Sequence, residues 1–398
     1  MPNSTLSNVP RLRFPGFEGE WEARLLGDIA EISKGVGISK EQRSLEGNPC
    51  ILYGELYTTY STEIIDDVVS KTHLPTTGLV QSKPNDIVIP ASGETAIDIS
   101  TARCVTREGV FLGGDLNIIR LRGQDGRFFS YQLNGARKKD IAKVAQGVSI
   151  VHLHGNDLAH IKVYYPSQLE QEKIASLLSL IDQRISIQNK TIEDLKKLKS
   201  ALCRIIFKQP PLRYIALCDL IVKGKAGGTP RSTNKDYYNG NIPFLSINDI
   251  SKQGKYVTYT DNNISEKGLR ESSAWLVPAG SLILSMYASV GLPTINKITL
   301  ATSQAMFSMI LKMPELIDYL YYYLCYFKDK FIYRYLETGT QSNINSEIVK
   351  SLKIPDYGIA NIKFGRILSV VDERIKNEEQ VVAKLQCQKS YLLRSLFI

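Results

Sequence analysis

Residues 177–185 read LLSLIDQRI and residues 367–375 read ILSVVDERI, almost the same nine letters about 190 residues apart. The match continues downstream, because LKKLKSALCRIIF (195–207) aligns with LQCQKSYLLRSLF (385–397) and keeps Leu, Lys-Ser, Leu, Arg and Phe at the same spacing. Self-similarity at a long fixed period indicates a chain that is built twice from one plan. The sequence therefore predicts two halves of related structure.

Both repeats lie in segments whose apolar residues have helical spacing. Residues 168–208 contain no Pro or Gly, and Ile174, Ile181, Leu195 and Leu202 share one seven-residue register, which predicts a single long helix. A second long helix is predicted from about Ala360 to Phe397. The apolar positions of the two stripes are Ile174, Leu177, Leu178, Ile181, Ile185, Ile192, Leu195, Leu198, Leu202, Ile205 and Ile206 in the first, and Phe364, Ile367, Val371, Ile375, Val382, Leu385, Leu392 and Leu396 in the second.

A single exposed helix cannot bury such a stripe. We therefore expect the two long helices to pack against each other as a coiled coil. The residues expected to form the helix-pairing surface are Ile174, Ile181, Ile185, Leu195, Leu202, Phe364, Val371, Ile375, Leu385 and Leu392.

The segments before each long helix have the pattern of mixed α/β domains. Short β-branched and aromatic runs such as NDIVIP (85–90), LNIIRL (116–121) and GSLILSMY (280–287) alternate with turns that contain Gly and Pro. The two domains have diverged far more than the two helices, which suits one kind of task performed on two different targets. The predicted division is 1–166 for the first domain, 167–208 for the first helix, 209–357 for the second domain and 358–398 for the second helix.

Length and charge limit the class of protein. With 398 residues and a hydrophobic fraction of 43%, the chain can form two or three domains with buried cores. The formal net charge of +9 is compatible with a polyanionic partner such as nucleic acid, although basic charge also serves solubility.

The cysteines and the N-terminus indicate the compartment. The six cysteines show no CxxC spacing, and Cys203 and Cys387 fall inside helical patterns, which favours reduced thiols over a disulfide framework. The N-terminus has no apolar run after a basic stretch, and no segment reaches 18 consecutive apolar residues. We therefore expect a cytoplasmic protein without a membrane partner.

Motifs for catalysis and metal binding are missing from the sequence. There is no GxxxxGK[ST] or GxGxxG motif, and the glycines of GVG (35–37) and GKAGG (224–228) are interpreted as turns. The Asn/Asp-Pro-Pro-aromatic loop of adenine methyltransferases is absent, since QPPL (209–212) lacks both the amide or acid and the aromatic residue. The histidines of VHLHG (151–155) have no Cys or carboxylate cluster nearby, so a strand edge explains them better than a metal site.

Polar and basic loops that alternate with aromatic residues recur instead. KGKAGGTPRSTNKDYYNG (223–240) carries four cations beside two tyrosines, and AQGVSIVHLHG (145–155) and ETGTQSNINSE (337–347) precede the two long helices. Lys and Arg suit phosphates, whereas Asn, Gln, Ser, Thr and Arg suit base edges. Ordinary solvated loops are the alternative interpretation.

Four parts of the chain together resemble the DNA-specificity subunit of Type I restriction–modification enzymes. They are VPRLRFPGFEGEWEARLLGDIAEISKG (9–35), GKAGGTPRS with YYNGNIPFLSINDI (224–250), GTQSNINSEIVKSLKIP (339–355) and the duplicated helices. The resemblance covers essentially the whole chain. In the first domain KGVGISKEQRS (34–44) departs from the Gly-Thr-Pro pattern of the second.

The resemblance implies a fold and a set of partners. The fold is mixed α/β with two target-recognition domains of common plan, separated by two long helices that pack as an antiparallel coiled coil with an internal pseudo-two-fold repeat. The chain would bind double-stranded DNA, two methyltransferase subunits and restriction/translocase subunits. It would bind no cofactor or metal itself, because S-adenosylmethionine, ATP and Mg are expected on the partner subunits.

The sequence thus predicts a non-catalytic, sequence-specific DNA-binding subunit that reads a bipartite asymmetric site. A coiled-coil scaffold that binds only protein is the alternative, and an enzyme that acts alone is a distant third. The candidate DNA-binding residues are Lys34, Lys40, Arg43, Gln146, Ser149, His152, Lys223, Lys225, Thr229, Arg231, Ser232, Asn234, Lys235, Asn248, Thr340, Gln341 and Asn343.

Overall fold

The computed structural model describes residues 8–335 and 343–398, and the chain divides into two compact units. Unit 1 contains the residues up to Asn189 together with Gln380–Ile398, and unit 2 is Lys190–Glu379. Each unit therefore combines one α/β module with a stretch of both long helices. Across the described residues, no helix is long and apolar enough to cross a membrane.

The elements of unit 1 are short except for its last helix, which continues into unit 2. The strands are β1 Glu22–Leu25, β2 Ala30–Lys34, β3 Arg43–Ser44, β4 Asn48–Ile51, β5 Ile64–Ile65, β6 Ser70–Thr72, β7 Asp86–Pro90, β8 Ser92–Gly93, β9 Arg103–Val105, β10 Phe111–Leu112, β11 Leu116–Leu121, β12 Val151–His152 and β13 Lys162–Tyr165. The helices are α1 Leu26–Ile29, α2 Glu55–Thr58, α3 Ala96–Ile99, α4 Gly126–Asn134, α5 Lys138–Val144, α6 Gly155–Ala159 and α7 Gln168–Lys208, with a 3-10 turn at Lys40–Gln42.

A five-stranded sheet forms the centre of unit 1. Its order is β2-β11-β7-β9-β5, with antiparallel neighbours except for the parallel pair β5 and β9. The predicted run NDIVIP supplies β7, which is buried along its whole length. Phe128, Phe129 and Tyr131 of α4 are fully buried and pack in the same cluster as Ile87 and Ile89 of β7.

Unit 2 begins inside α7 and has the following elements. The strands are β14 Arg213–Ala216, β15 Ile221–Ala226, β16 Tyr238–Leu245, β17 Tyr256–Val257, β18 Asn262–Ile264, β19 Leu282–Ser285, β20 Pro293–Asn296, β21 Ala301–Thr302, β22 Met306–Leu311 and β23 Lys353–Asp356. The helices are α8 Ile247–Gln253, α9 Glu266–Arg270, α10 Ile317–Lys330, α11 Ser346–Ser351 and α12 Ala360–Ser395, with 3-10 turns at Leu217–Leu220, Lys235–Tyr237, Pro314–Leu316 and Ile332–Arg334.

The central sheet of unit 2 repeats the plan of unit 1. Its order is β15-β22-β19-β20-β17, again antiparallel except for its last pair, β17 and β20. The small sheet that pairs the first strand of each module with the strand before its long helix is also repeated, as β1 with β13 and as β14 with β23. The common plan that the repeated sequence predicted is therefore confirmed.

The two long helices pack together within each unit. In unit 1, Ile174 and Leu178 of α7 share a buried cluster with Leu392 and Leu396 of α12. In unit 2, Lys196 pairs with Glu379 at 2.8 Å and Lys199 pairs with Asp372 at 2.6 Å. Successive contacts between the helices involve higher residue numbers on α7 and lower residue numbers on α12. The helices therefore run antiparallel.

The predicted pairing residues lie along this seam to different depths. Ile174, Ile181, Ile375, Leu385 and Leu392 are buried, and Ile185, Leu195, Leu202, Phe364 and Val371 are half-buried.

The predicted stripes were too wide at three positions. Leu198 and Ile205 of α7 are 47% and 68% exposed, and Ile367 of α12 is 47% exposed. A two-helix seam buries only a narrow stripe on each helix, so apolar residues beyond that stripe remain in solvent.

Candidate nucleic-acid interface

The loop after β15 starts from a closely packed pair of glycines. A Cβ on Gly227 would lie 2.0 Å from the carbonyl oxygen of Thr302, and one on Gly228 would lie 2.1 Å from the Ser273 hydroxyl. Gly224 belongs to β15, so the interpretation of GKAGG as a turn is wrong for this residue. The two following glycines are required because the backbone passes directly against its neighbours.

This loop borders a cleft of about 410 Å³ in unit 2 that has both polar and apolar lining residues. Thr229 and Tyr238 come from the predicted basic segment, and the Tyr238 hydroxyl donates to the carbonyl oxygen of Pro230 at 2.7 Å. The other lining residues are Phe244, Leu245, Ser246, Ile247, Asn262 and Ser303. The cleft thus combines hydroxyl and amide groups with aromatic rings, the groups that bind base edges and base faces.

Sequence reasoning missed most of this cleft. Ser246 follows β16, Asn262 begins β18 and Ser303 follows β21. Gln304, beside Ser303, hydrogen-bonds Thr229. Only the pairing of β16 with β18 and β21 brings these residues together, and no spacing in the sequence signals that pairing.

The predicted cations of unit 2 are exposed around the same loop. Lys223 and Lys225 lie on β15, an edge strand, and the Lys223 ammonium is 4.4 Å from the centre of the Trp275 ring. Among the described residues, no carboxylate lies within ion-pair distance of Lys225, Arg231 or Lys235. These three side chains are therefore available to an external anion.

The remaining polar candidates of unit 2 differ in availability. Ser232 and Asn248 are exposed, whereas Asn234 is half-buried and its side chain accepts a hydrogen bond from the Asp236 amide at 3.1 Å. Asn343 is half-buried beside the buried Ile344. Thr340 and Gln341 lie outside the described residues.

In unit 1, the loop before α6 brings two candidates together. Gln146 and His152 exchange backbone hydrogen bonds of 2.9 and 2.7 Å, which closes the loop between them. Ser149 is exposed at its tip, beside Val148 at 98% and Ile150 at 60% exposure. The apolar tip was not predicted, because the sequence of a loop does not indicate which of its apolar side chains remain exposed. Exposed apolar groups of this kind can contact thymine methyls.

Lys34 ends β2 at a cavity of about 520 Å³ in unit 1. His154, Asn156 and the fully buried Asn117 also line this cavity. The Asn117 amide donates to the carbonyl oxygen of Leu153 at 2.9 Å and so fixes the loop to the central sheet.

Lys40 and Arg43 form a separate group in unit 1. The Arg43 guanidinium donates to the Lys40 carbonyl oxygen at 3.3 Å and pairs with Glu55 at 3.3 Å. Among the described residues, no hydrogen bond connects this group to Gln146 or His152.

No group of three metal-ligating side chains occurs in the described part of the chain. The rings of His152 and His154 stack with centroids 6.4 Å apart, and the His160 ring hydrogen-bonds the Asn156 carbonyl oxygen at 2.7 Å.

The chain has two α/β modules with one sheet plan. Each module packs with a stretch of the same two antiparallel long helices and displays a different set of polar loops. These features define the class of a duplicated recognition protein. The chain matches the family described as Type I restriction modification DNA specificity domain twice, over residues 18–197 and 214–386. It therefore belongs to this family of specificity subunits, and the resemblance seen in the sequence is confirmed.

Individual relatives agree with this assignment. The chain is 29% identical over 178 residues to the MjaIX specificity subunit of a Type I restriction enzyme from Methanocaldococcus jannaschii, an alignment that spans 43% of this chain and 40% of that protein. A specificity subunit of the same organism, described as the MjaX subunit of a Type I restriction enzyme, is 23% identical over 95% of this chain and 92% of its own length.

A solved structure shares the fold over the whole chain. The crystal structure of a Type I restriction–modification S subunit from M. genitalium superposes with a TM-score of 0.67 at 17% identity, covering 98% of this chain and 99% of that one.

Proposed function

We propose that this chain is the non-enzymatic, DNA-binding subunit of a Type I restriction–modification complex and reads a bipartite, asymmetric site. Residues 1–166 and 209–357 act as target-recognition domains, and residues 167–208 and 358–398 act as the two long spacer helices. The observation that carries the proposal is the double family match on two modules that share one sheet plan but differ in their exposed loops.

The charges of the candidate loops support a DNA partner. Lys225, Arg231 and Lys235 are exposed cations without a carboxylate partner among the described residues, and the whole chain has a formal charge of +9. Cations of this kind neutralise phosphates and release counterions, which supplies affinity for any DNA sequence. The neighbouring hydroxyl and amide groups of the unit 2 cleft supply hydrogen bonds that can distinguish bases.

The two half-sites should differ in sequence because the two modules present different groups. Unit 2 offers the cleft that contains Thr229 and Tyr238, whereas unit 1 offers the loop with Gln146, Ser149 and His152 and the apolar tip at Val148. Equal surfaces would read equal half-sites and produce a palindrome.

Protein partners have exposed apolar surface available on the long helices. Leu180 and Ile187 of α7 in unit 1 are 63% and 64% exposed and seven residues apart, which places them on one face. Leu198 and Ile205 of α7 in unit 2 repeat this spacing. We infer that these faces help to hold two methyltransferase subunits and restriction/translocase subunits, which supply S-adenosylmethionine, ATP and Mg chemistry in the cytoplasm.

Mapping of methylated adenines tests the function. DNA from cells that carry the complete system should show a split motif with two unlike halves, each lost when its own module is exchanged for another. A continuous or palindromic motif would contradict the proposal.

The scaffold alternative predicts a different result. Under that alternative, the assembled complex forms normally, but its affinity for DNA is independent of sequence and of the module present.

The purified chain should also transfer no labelled methyl group from S-adenosylmethionine to DNA unless the methyltransferase subunits are added.

A further inference from the structure

The aspartate inside the repeated LLSLIDQRI motif lies at a three-way contact in unit 1. Asp182 of α7 binds the ammonium of Lys389 of α12 at 2.6 Å and accepts a hydrogen bond from the hydroxyl of Tyr131 of α4 at 2.7 Å. Asp182 and Tyr131 are buried, and the Lys389 side chain is only 14% exposed. We name these three residues junction 1.

Unit 2 contains the same arrangement around the second copy of the motif. Asp372 of α12 binds the ammonium of Lys199 of α7 at 2.6 Å and accepts a hydrogen bond from the hydroxyl of Tyr322 of α10 at 2.6 Å. These three residues form junction 2. Each junction therefore connects an α/β module, the long helix that follows this module in the chain, and the other long helix.

The two junctions are reciprocal. Each half of the chain supplies the tyrosine and the aspartate of its own junction and the lysine of the other. This explains why the two helical repeats retain Asp at 182 and 372 and Lys-Ser at 199–200 and 389–390, although most other positions between these residues differ.

The polar residues specify one helix register, whereas the apolar seam permits several. A seven-residue shift of a heptad stripe still places apolar residues opposite each other. The positions seven residues from Lys389 are Val382 and Leu396, so a shifted helix would bring an apolar side chain to the buried Asp182. A buried charge without a partner is strongly disfavoured, so such a register is excluded.

Each module adds one charged residue to its own junction. The residue before β5 is Glu63, which binds Lys389 at 2.5 Å. The residue before the corresponding strand β17 is Lys255, whose ammonium donates to the Tyr322 hydroxyl at 3.0 Å and to Ser369 at 2.8 Å. The same place in the sheet plan thus carries an acid in unit 1 and a base in unit 2, which makes the junctions distinct.

We propose that junction 1 and junction 2 contain the positioning residues that lock each α/β module to the paired helices, so that DNA half-sites are accepted only at one separation. The effect on the separation of DNA half-sites rests on the proposed function. The attachment of each module to the paired helices is independent of DNA. The tyrosines are tested because each binds the aspartate of its junction directly from the module, beside the module charges Glu63 and Lys255.

The test compares Tyr131→Phe and Tyr322→Phe with a control at an ion pair outside the junctions. Each Phe variant removes one hydroxyl and retains the packed ring. The control is Lys196→Ala with Glu379→Ala, an exposed pair between the same two helices with 58% and 51% exposure. All variants are made in the full chain, and the complex with methyltransferase subunits is assembled from each.

Hydrogen exchange in the absence of DNA measures how firmly each junction holds its module to the paired helices. We expect faster exchange in the α4 segment and in residues 380–398 for Tyr131→Phe, in the α10 segment and around Asp372 for Tyr322→Phe, and no change for the control. Unchanged exchange in both Phe variants would overturn the inference, whatever the complex does to DNA.

Methylation of a library of DNA sites with altered gap lengths measures the effect of each variant on the accepted separation of the half-sites. Selectivity for the native gap over gaps one base pair longer or shorter should fall about tenfold in Tyr131→Phe, the scale of one lost hydrogen bond to a charged group. The fall should be at least as large in Tyr322→Phe, which also removes the acceptor for Lys255. The half-site bases should stay the same in both variants. Faster exchange with full gap selectivity would show that the junctions only stabilise the fold, which overturns the positioning role. If the wild-type complex recognised no bipartite site, the proposed function would be refuted. Hydrogen exchange would still show whether the junctions hold the modules to the paired helices.

Discussion

Arg13 binds Glu170 through two parallel hydrogen bonds of 2.8 Å, and Glu170 at the start of α7 is completely buried. The same guanidinium also donates to the backbone carbonyl oxygens of Glu18 and Gly19. Beside it, the Leu12 amide donates to the Ser395 carbonyl oxygen at 2.9 Å. The segment before β1 thus closes unit 1 over the beginning of one long helix and the end of the other.

Replacement of Arg13 by Ala should destabilise unit 1 by about 3 kcal/mol, because it leaves the buried Glu170 carboxylate without its cation. Trp21 fluorescence in a Trp275→Phe background reports unfolding of unit 1 alone, since the other tryptophan lies in unit 2. Arg24→Ala is the control. Its partner Glu22 is half exposed, so we expect no measurable change. Equal effects of the two substitutions would contradict the argument from burial.

The stability of unit 1 should depend on the titration of Asp182. Burial and the nearby Glu63 carboxylate raise the pKa of Asp182 to about 6, although Lys389 and the Tyr131 hydroxyl oppose this shift. Arg103 is a further charge that acts on this group. Because the folded-state pKa exceeds the unfolded value, the folded state binds the proton more tightly, and stability is lost as the pH rises through this range.

Denaturant unfolding of the wild type and of Asp182→Asn should reveal this titration. Between about pH 4.5 and pH 7, the free energy of unfolding of the wild type should fall by about 2 kcal/mol relative to the variant. Parallel pH profiles for the two proteins would exclude Asp182 as the titrating group.

The sequence was sufficient for the repeat, the two long helices and the class of the modules. The heptad stripe carries this information in residues such as Ile174 and Ile181, because burial of one helical face requires apolar residues at that spacing. The order of the central sheets was not predictable, because β7 and β11 have similar buried runs and pairing between them depends on contacts distant in sequence.

The candidate site was predictable only in part. Basic residues such as Lys225 and Arg231 stand out by composition, but the cleft residues Asn262 and Ser303 become neighbours only in the folded sheet. The junctions left a partial signal. Asp and Lys-Ser recur in both helical repeats, whereas Tyr322 is hidden among the other tyrosines of α10.

Binding assays at several salt concentrations should divide the loop residues into two classes. Lys225→Ala and Lys235→Ala should weaken binding to every sequence and flatten the logarithmic salt dependence by about one unit each, because each removes one phosphate contact. Lys197→Ala on α7, where the lysine pairs with Glu193, is the control and should change neither quantity.

Base-reading residues should behave differently in the same assay. Arg231→Ala or Asn343→Ala should relax one half-site at a cost of about 1–3 kcal/mol for the native sequence, with the salt dependence changed less than the specificity. Uniform weakening at every position tested would mean that these loops only hold DNA without reading it.

The long helices should set the separation of the half-sites. A seven-residue insertion in α7 between Ser186 and Ser200, combined with one in α12 between Lys376 and Ser390, preserves the heptad seam and leaves both junctions with their own modules. Each insertion adds about 10 Å, or roughly three base pairs of DNA. The methylation motif should retain its half-sites and gain unspecified pairs between them. An unchanged gap in an active variant would show that the helices do not set the spacing.

The first half of the chain should pair with a second copy of itself. In unit 1, residues 380–398 complete the buried core, so the fragment 1–208 alone would expose Leu178 and Phe128. The end of α7 aligns with the end of α12 and offers the same types of residue at the same spacing, so a second copy of the fragment can supply them. The replacements are Lys199 for Lys389, Leu202 for Leu392, Ile206 for Leu396 and Phe207 for Phe397.

In such a dimer Lys199 of each copy would bind Asp182 of the other, and Glu63 would add a second carboxylate for the incoming ammonium, as it does for Lys389. The closed two-fold pairing should present two identical modules, so the fragment with methyltransferase subunits should modify a palindrome built from the first half-site. Sedimentation of the purified fragment decides the first step, with Lys199→Glu expected to abolish the dimer and Lys196→Glu, at an exposed position, expected to leave it intact. A well-folded monomer with no affinity for its copy would mean that the repeated helices are not mutual packing surfaces.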